Sequence, residues 1–315
     1  MTLTQLSAFV LVARLGSVKA AACALSVSEP AVSQALGALR KYFDDPLLTR
    51  GPRGMELTAA GSRLFGVAAQ MVSLGAEADA AVRSAKGRVE QLRLVADSTV
   101  VEFVSGPLAE AFTGRSGGTV EVVPGVASSA EMAVLVSQRL VDLALGPYLG
   151  ADPELGLVSE PIMSGRLVVL AADGAVPRGS AAGWLWLVDP SGTDSGSDVG
   201  RLLRTLAVPQ RRIRVYPNQT AAWEAAAEGV GVAPAVAHLA VHQTRRHDLR
   251  IIDTPVTPMA ICWHATTLRM DRCSPATTSL RHFLSTPEAM RLLRTPAGGV
   301  AASRFRPPVY LTMRS

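Results

Sequence analysis

Two short helical patterns meet at a polar joint within residues 17–40, which read SVKAAACALSVSEPAVSQALGALR. Ser17 is a favourable N-cap for the first helix. The narrow apolar face of that helix consists of Ala20, Ala21, Ala24 and Leu25. The joint is Ser26-Val27-Ser28, and the small alanines allow two helices to cross closely. The pattern therefore predicts a helix-turn-helix.

The second helix of the pair presents a polar face opposite its apolar residues. Ser28 caps it and Pro30 lies in its first turn. Its apolar positions recur at helical spacing and are Val32, Leu36 and Leu39. Its polar face carries Glu29, Ser33, Gln34 and Arg40. Such side chains can reach base edges and phosphates in a major groove, so we expect a DNA-recognition helix here.

The flanking sequence extends this unit on both sides. An amphipathic helix precedes it, with an apolar stripe of Leu3, Leu6, Phe9 and Val10. After it, a short strand at Leu47–Leu48, a turn at residues 51–54 and a return strand at Met55–Leu57 predict a small hairpin, or wing. Arg50 and Arg53 lie near the tip of that wing.

Helix, turn, wing and linker arrive in an order that resembles the N-terminal winged helix of LysR-type transcriptional regulators over roughly the first 65 residues. Two positions depart from that family, because this chain has Glu29 where Gln is usual and Arg40 where Glu is usual. The resemblance implies that Ser33, Gln34 and Glu29 face bases, with Pro30 shaping the helix start. The residues implied to hold phosphates are Ser17, Lys19, Ser28 and Arg40, with Arg50 and Arg53 on the wing at a minor groove.

A long helix is predicted from Thr58 to about residue 87. Its apolar row consists of Leu64, Val67, Met71, Leu74, Ala78 and Val82. One interpretation is packing on its own domain. The other is pairing with a second copy, since a helix that joins two domains has little of its own chain to cover it. In LysR-type proteins this linker dimerises, which implies a homodimer, with a homotetramer as the open alternative.

The remaining chain alternates strand-like and helix-like segments from Gln91 onward. This rhythm occurs twice and predicts parallel sheets with right-handed crossovers. We therefore predict an α+β multidomain protein with a winged helix-turn-helix at 1–57, a linker helix at 58–87 and a domain of two α/β lobes at 88–296. That domain resembles the periplasmic-binding-protein-like effector domain of the family. Lobe I is expected at about 88–163 and 263–296, lobe II at about 164–262, and a basic tail at 297–315.

Short polar side chains follow the predicted strands, where open parallel sheets bind ligands. These positions are Ser98, Thr99, Ser128, Ser129, Gly146, Pro147, Thr193, Ser195 and Asn218. Their neutral donors suit a small polar effector held between the lobes, with a carboxylate as one candidate. Each could equally be an ordinary helix N-cap. The family resemblance supports binding, because LysR-type members bind small co-inducers between their lobes.

Composition restricts the remaining classes of function. The 315 residues carry a formal charge of +5, which is compatible with a polyanionic partner. Mean hydropathy is +0.25, yet no run is long and apolar enough to predict a membrane helix. The three scattered cysteines and the absence of a secretory signal predict a cytoplasmic, nucleoid-associated protein without a disulfide framework. No pattern predicts a metal site or a cofactor.

These observations predict a sequence-specific DNA-binding regulator that a small-molecule effector controls. Its expected partners are promoter or operator DNA, the effector, a second copy of itself and, if it activates, RNA polymerase. Two alternatives stay open. One is an enzyme with a DNA-binding head, for which the sequence offers no convergent nucleophile, base and orienting group. The other is an architectural DNA-binding protein with an inert C-terminal domain.

Overall fold

The structure is a computed structural model, and it describes residues 1–25, 27–51, 54–85, 89–150, 155–174, 177–241 and 249–295. The predicted wing-tip Arg53 and the predicted tail 297–315 lie outside these residues. The N-terminal part contains α1 (Leu3–Leu15), α2 (Val18–Leu25), α3 (Glu29–Phe43), β1 (Leu48–Gly51), β2 (Gly54–Leu57) and α4 (Ala59–Ala85).

Local capping chemistry sets the ends of the first three helices. Thr2 and Gln5 form a reciprocal capping box at the start of α1, and Gly16 ends this helix with a φ of 66°. Ser28 accepts a hydrogen bond from the Ala31 N–H and caps α3. These caps fix short connections, so that α1, α2 and α3 pack around one apolar centre that includes Phe9.

The hairpin and the start of α4 are fixed to the three helices by close backbone contacts. The Met55 N–H donates to the Gly16 carbonyl at 2.9 Å. Thr58 caps α4 and donates its hydroxyl to Asp45 at 2.9 Å. At Gly61 the backbone passes so close to the Leu47 carbonyl that an added Cβ would lie 2.0 Å from that oxygen. The linker helix therefore leaves the winged helix in a defined direction.

The C-terminal part is built around a mixed sheet. Its strands are β3 (Glu90–Ala96), β4 (Val120–Val126), β5 (Leu143–Gly146), β6 (Leu157–Ala172), β9 (Ala233–Val236), β10 (Leu249–Ile252) and β11 (Met259–Leu268), and a separate pair consists of β7 (Trp186–Val188) and β8 (Ile213–Val215). Along the sheet the order is β10-β6-β11-β5-β3-β4, with β9 also paired to β6. The helices are α5 (Ser98–Val100), α6 (Gly106–Arg115), α7 (Ser129–Ser137), α8 (Asp198–Thr205), α9 (Gln219–Ala227), α10 (Pro275–Leu284) and α11 (Pro287–Arg294).

The two longest strands, β6 and β11, run antiparallel and connect the two halves of this domain. Their register shifts between Trp263 and His264. On one side of that shift β11 pairs with β5, and β3 pairs parallel with β4 and β5. On the other side β6 pairs with β9 and β10. The predicted boundaries between the two lobes, at residues 163 and 263, are compatible with this arrangement and stay a prediction.

The C-terminal part departs from a simple alternation of strands and helices, and the prediction of parallel sheets was wrong in one respect. A π-helical turn at Val101–Ser105 interrupts the helical segment between β3 and β4. The helical segment after β11 is two helices, because Thr286 caps a new helix that begins with Pro287. The sheet is mixed and not purely parallel, since β6 and β11 cross between the halves in opposite directions.

The winged helix is packed against the C-terminal part through α1 and α7. Residues on every side of α1 are buried, from Leu6 to Val12. The buried side chains of the winged helix share one hydrophobic cluster with those of α7, including Leu135 and Val136. Among the described residues, no helix combines the length and the apolarity that crossing a membrane requires.

Candidate DNA interface and interlobe cleft

The predicted recognition helix α3 buries one face and exposes the other. Val32, Leu36 and Leu39 are buried in the winged-helix core. Ser33 and Gln34 are exposed on the opposite face, and so are Glu29 and Pro30 in the first turn. The caps at Ser28 therefore hold a polar surface away from the core, where a groove of DNA could receive it.

The residues expected to hold phosphates lie at the starts of α2 and α3, at the end of α3 and on the wing. Ser17 accepts from the Ala20 N–H at 3.3 Å, and Lys19 is exposed in the first turn of α2. Arg50 is exposed on β1. Arg40 has a structural task that the sequence did not reveal, because it donates to the carbonyls of Pro46 at 3.0 Å and Leu48 at 3.5 Å. Arg40 thus connects the end of α3 to the wing.

The apolar row of α4 divides into two parts. Leu64 is partly buried against the winged-helix core. Beyond it the row is exposed, with Val67 at 55%, Leu74 at 62% and Val82 at 53% of their free surface, beside Met71 and Ala78. Exposed apolar residues in a row on one helix are typical of a surface that another helix covers.

In the cleft between the lobes, two predicted hydroxyls already have a partner. Ser98 and Thr99 both donate to Oδ2 of Asp189, which follows β7 directly, and the Thr99 distance is 3.2 Å. Ser191 donates to the other carboxylate oxygen of Asp189 at 2.5 Å. All of these residues are buried, and Asp189 is fully enclosed. The strand ends of the two lobes therefore meet at a carboxylate.

A second contact joins the start of α7 to the loop before α8. The Ser129 N–H donates to Oδ2 of Asp194 at 2.7 Å. Ser128 caps α7 in a capping box with Glu131. Thr193 and Ser195 are exposed on the same loop as Asp194, and the Thr193 hydroxyl donates to the Pro190 carbonyl. Of these predicted positions, Ser129 is the one that contacts the opposite lobe through a hydrogen bond.

A third contact joins Glu102 to the start of α9. The backbone N–H groups of Gln219 and Thr220 donate to Glu102 at 2.8 and 3.1 Å, and the Thr220 hydroxyl donates to it as well. Asn218 is buried and caps α9 through the Ala221 N–H. Next to Glu102, Phe103 stacks on Trp223 with a ring separation of 5.2 Å. The Glu102 carboxylate of one lobe thus accepts hydrogen bonds from the free N–H groups at the start of α9 in the other lobe.

Burial changes the acidity of the cleft carboxyl groups. Burial raises the pKa of Asp97 from 3.8 to about 7, the Val100 N–H opposes this, and the charges of Asp189, Asp198 and Asp194 add to it. Burial also raises the pKa of Asp189, against hydrogen bonds from its hydroxyl partners. Gly146 and Pro147 are buried at the end of β5, where a Cβ on Gly146 would lie 4.0 Å from Asp97. The cleft is therefore rich in carboxyl groups.

The family models match both parts of this chain. Residues 3–62 match the bacterial regulatory helix-turn-helix protein model of the lysR family, and residues 85–286 match the LysR substrate binding domain. The chain belongs to the LysR family. An uncharacterized HTH-type transcriptional regulator of Mycobacterium tuberculosis is 31% identical over 100% of both chains.

Solved structures of LysR proteins share this fold. The chain of full-length CbnR in complex with its target DNA is 22% identical, with a TM-score of 0.51 over 90% of this chain and 99% of that one. Full-length LysG from Corynebacterium glutamicum with bound effector Arg is also 22% identical, with a TM-score of 0.50 over 90% of this chain and 97% of that one. Both span the winged helix, the linker helix and the two lobes, so the predicted LysR architecture is confirmed.

Two residues of the LysR cleft were missed by sequence reasoning. Asp189 comes directly after the strand WLWLV, and an acidic residue at a strand end was the available signal. Glu102 lies one turn inside a helical segment and gave no signal, because only the fold brings it to residues more than a hundred positions later. The cleft was predicted from neutral donors, and its carboxylate acceptors were overlooked.

Proposed function

We propose that this LysR-family chain is a sequence-specific DNA-binding regulator of transcription that works as a homodimer and not as an enzyme. The exposed polar face of α3, held outward by its buried apolar face and by the Ser28 cap, is the observation that carries the proposal. Ser33, Gln34 and Glu29 read bases in the major groove. The chain acts in the cytoplasm, where it reaches promoter DNA.

Phosphate contacts position the recognition helix on its site. The groups proposed to make them are Ser17 and Lys19 at the start of α2, Ser28 at the start of α3 and Arg50 on the wing, together with Arg53, which lies outside the described residues. Arg40 contributes mainly by holding the wing, since its guanidinium donates to the carbonyl of Pro46, just before the wing, and to that of Leu48 within it. The exposed part of the α4 row pairs with a second copy, which presents two recognition helices to two half-sites.

A small molecule in the interlobe cleft modulates this activity, as the substrate-binding domain of the family suggests. The proposed lining is the set of strand-end positions Ser98, Thr99, Ser128, Ser129, Gly146, Pro147, Thr193, Ser195 and Asn218. Helix α7 offers a route for the signal, because it begins in the cleft at Ser129 and packs against α1 of the winged helix. A change at the cleft can therefore reach the DNA-binding unit through one rigid element.

Fluorescence-anisotropy titration tests the proposal. The protein is titrated against the DNA immediately upstream of its own gene and against a scrambled duplex of the same composition, at two salt concentrations. We expect a preference of about a thousandfold for the upstream DNA. Equal and steeply salt-dependent binding to both duplexes would indicate an architectural protein that binds the DNA phosphates without recognising the base sequence.

A further inference from the structure

The Asp189 carboxylate is held in the way that a bound carboxylate ligand would be held. It is fully enclosed, and hydroxyls of Ser98 and Thr99 from the opposite lobe donate to one of its oxygens. Its other oxygen accepts from Ser191. Among the described residues Asp189 forms no ion pair, so neutral donors alone stabilise it. Buried polar groups need such partners, and this carboxyl group takes its partners from both lobes.

These same hydroxyls are the ones that the sequence marked for a carboxylate effector. Ser98 and Thr99 are 91 and 90 positions away from Asp189 in the chain and meet it only because the lobes close on each other. Hydroxyls that donate to Asp189 cannot donate to a free anion at the same time. A free carboxylate at the same two hydroxyls would also overlap the space that the Asp189 carboxyl group fills.

We propose that Asp189 is a built-in ligand: its side-chain carboxylate fills, from lobe II, the place beside Ser98 and Thr99 where a free carboxylate would bind. Asp189 is then a specificity-determining residue that excludes carboxylate effectors from this subsite. Ser98 and Thr99 line the cleft but do not donate to the effector, which the remaining polar groups of the proposed lining recognise. This inference rests on the proposed function only in taking the interlobe cleft as the effector site.

Removing the side chain tests the proposal by chemical rescue in the full chain. Asp189→Gly deletes a methylene and a carboxylate, which together have the size of acetate, and Asp189→Ala leaves room for formate only. Thermal unfolding of each variant is measured in sodium acetate, sodium formate and sodium chloride at equal concentration. We expect acetate to raise the Tm of Asp189→Gly by about 2 °C or more above its value in chloride, because a ligand that binds the folded state stabilises it.

The controls separate a site from a general effect of salt. The wild-type chain and the isosteric Asp189→Asn variant should show no difference between acetate and chloride, because their subsite is filled. Asp189→Ala should respond to formate and not to acetate. Adding Ser98→Ala to Asp189→Gly should remove most of the acetate response, since a donor is lost. An equal acetate response in wild type and Asp189→Gly would overturn the proposal, and so would a folded Asp189→Gly variant without any response.

A second measurement decides the matter if Asp189→Gly does not fold in either salt. Ser98→Ala, Asp189→Ala and their double variant form a double-mutant cycle, and the two losses of Tm should be less than additive because each single change removes the contact between Ser98 and Asp189. Additive losses would contradict the proposal. None of these readouts involves DNA, so a failed rescue leaves the DNA-binding function standing, and a failure to prefer upstream DNA leaves the rescue standing.

Discussion

At the scale of residues, Gln34 carries the clearest specificity prediction. Its side chain is exposed on the polar face of α3, and a Gln can form two hydrogen bonds with an adenine edge. Gln34→Ala should cost about 1–3 kcal/mol at one base position and relax the choice of base there. Anisotropy titrations against the upstream site and its single-base variants measure this loss of binding free energy.

The control for Gln34→Ala is Gln210→Ala, the same change on an exposed residue of the C-terminal domain. Equal losses on every sequence would show that Gln34 does not read bases.

Asp97 gives a prediction about pH. Its pKa rises from 3.8 to about 7 on folding, so the native state holds a proton that the unfolded chain releases. The contribution of Asp97 to the free energy of unfolding therefore falls as pH rises from about 4 to about 7. Above pH 7 the full cost of burying the charged carboxylate remains. Asp97→Asn keeps a capping side chain and removes this cost. The free energy of unfolding of the variant, minus that of the wild type, should be about 1–3 kcal/mol larger at pH 8 than at pH 4.

Urea unfolding at several pH values measures the effect of Asp97→Asn. Asp253→Asn, the same change at an exposed position, is the matched control. If Asp97→Asn raised the free energy of unfolding by the same amount at pH 4 and pH 8, folding would not raise the pKa of Asp97.

Residues also show what a sequence can and cannot predict. Ser17, Ser28 and Pro30 act locally, so their places in the helix-turn-helix could be predicted from spacing alone. The hydrogen bonds from Ser98 to Asp189 and from Gln219 to Glu102 join distant parts of the chain. No local pattern encodes which strand end will face which, so the neutral donors were found and their acidic partners were not.

At the scale of elements, the junction between the wing and α4 depends on a glycine. A Cβ at Gly61 would lie 2.0 Å from the Leu47 carbonyl oxygen, whereas a Cβ at Gly66 in the same helix would meet nothing within 4 Å. Gly61→Ala should therefore destabilise the winged helix by about 1–3 kcal/mol through overpacking. Gly66→Ala, its matched control, should stabilise it by about 0.5–1 kcal/mol through helix propensity. Denaturant unfolding compares them, and a stabilising Gly61→Ala would contradict the described junction.

The exposed apolar row of α4 predicts how copies of the chain associate. Leu74→Glu places a charge in the middle of that row and should weaken the dimer tenfold or more, about 1.4 kcal/mol. Sedimentation-velocity runs over a range of concentrations measure the dissociation constant. Gln70→Glu adds the same charge on α4 at an exposed polar position and should leave it nearly unchanged. Equal weakening by both variants would point to general repulsion and not to a helix pair.

At the scale of the whole molecule, the winged helix and the C-terminal domain are connected through packed elements. The winged helix, the apolar row of α4 and the cleft lie on separate elements, and α7 spans the distance from Ser129 in the cleft to α1. The order of these parts could be predicted from the sequence because each has a local signature. The packing of α1 against α7 could not be predicted, because the apolar residues of α7 are equally typical of a helix that packs on a sheet.

The most direct test of the central claim, that a dimer of this chain reads DNA sequence through α3, is in-vitro selection from a pool of random duplexes with the full-length wild-type protein. We expect enrichment of an inverted repeat whose half-sites are centred one or more helical turns apart, roughly 10 bp each. We also expect Gln34→Ala to enrich the same repeat with one base position relaxed in each half. A pool that stays random under conditions where the protein binds DNA would contradict the claim.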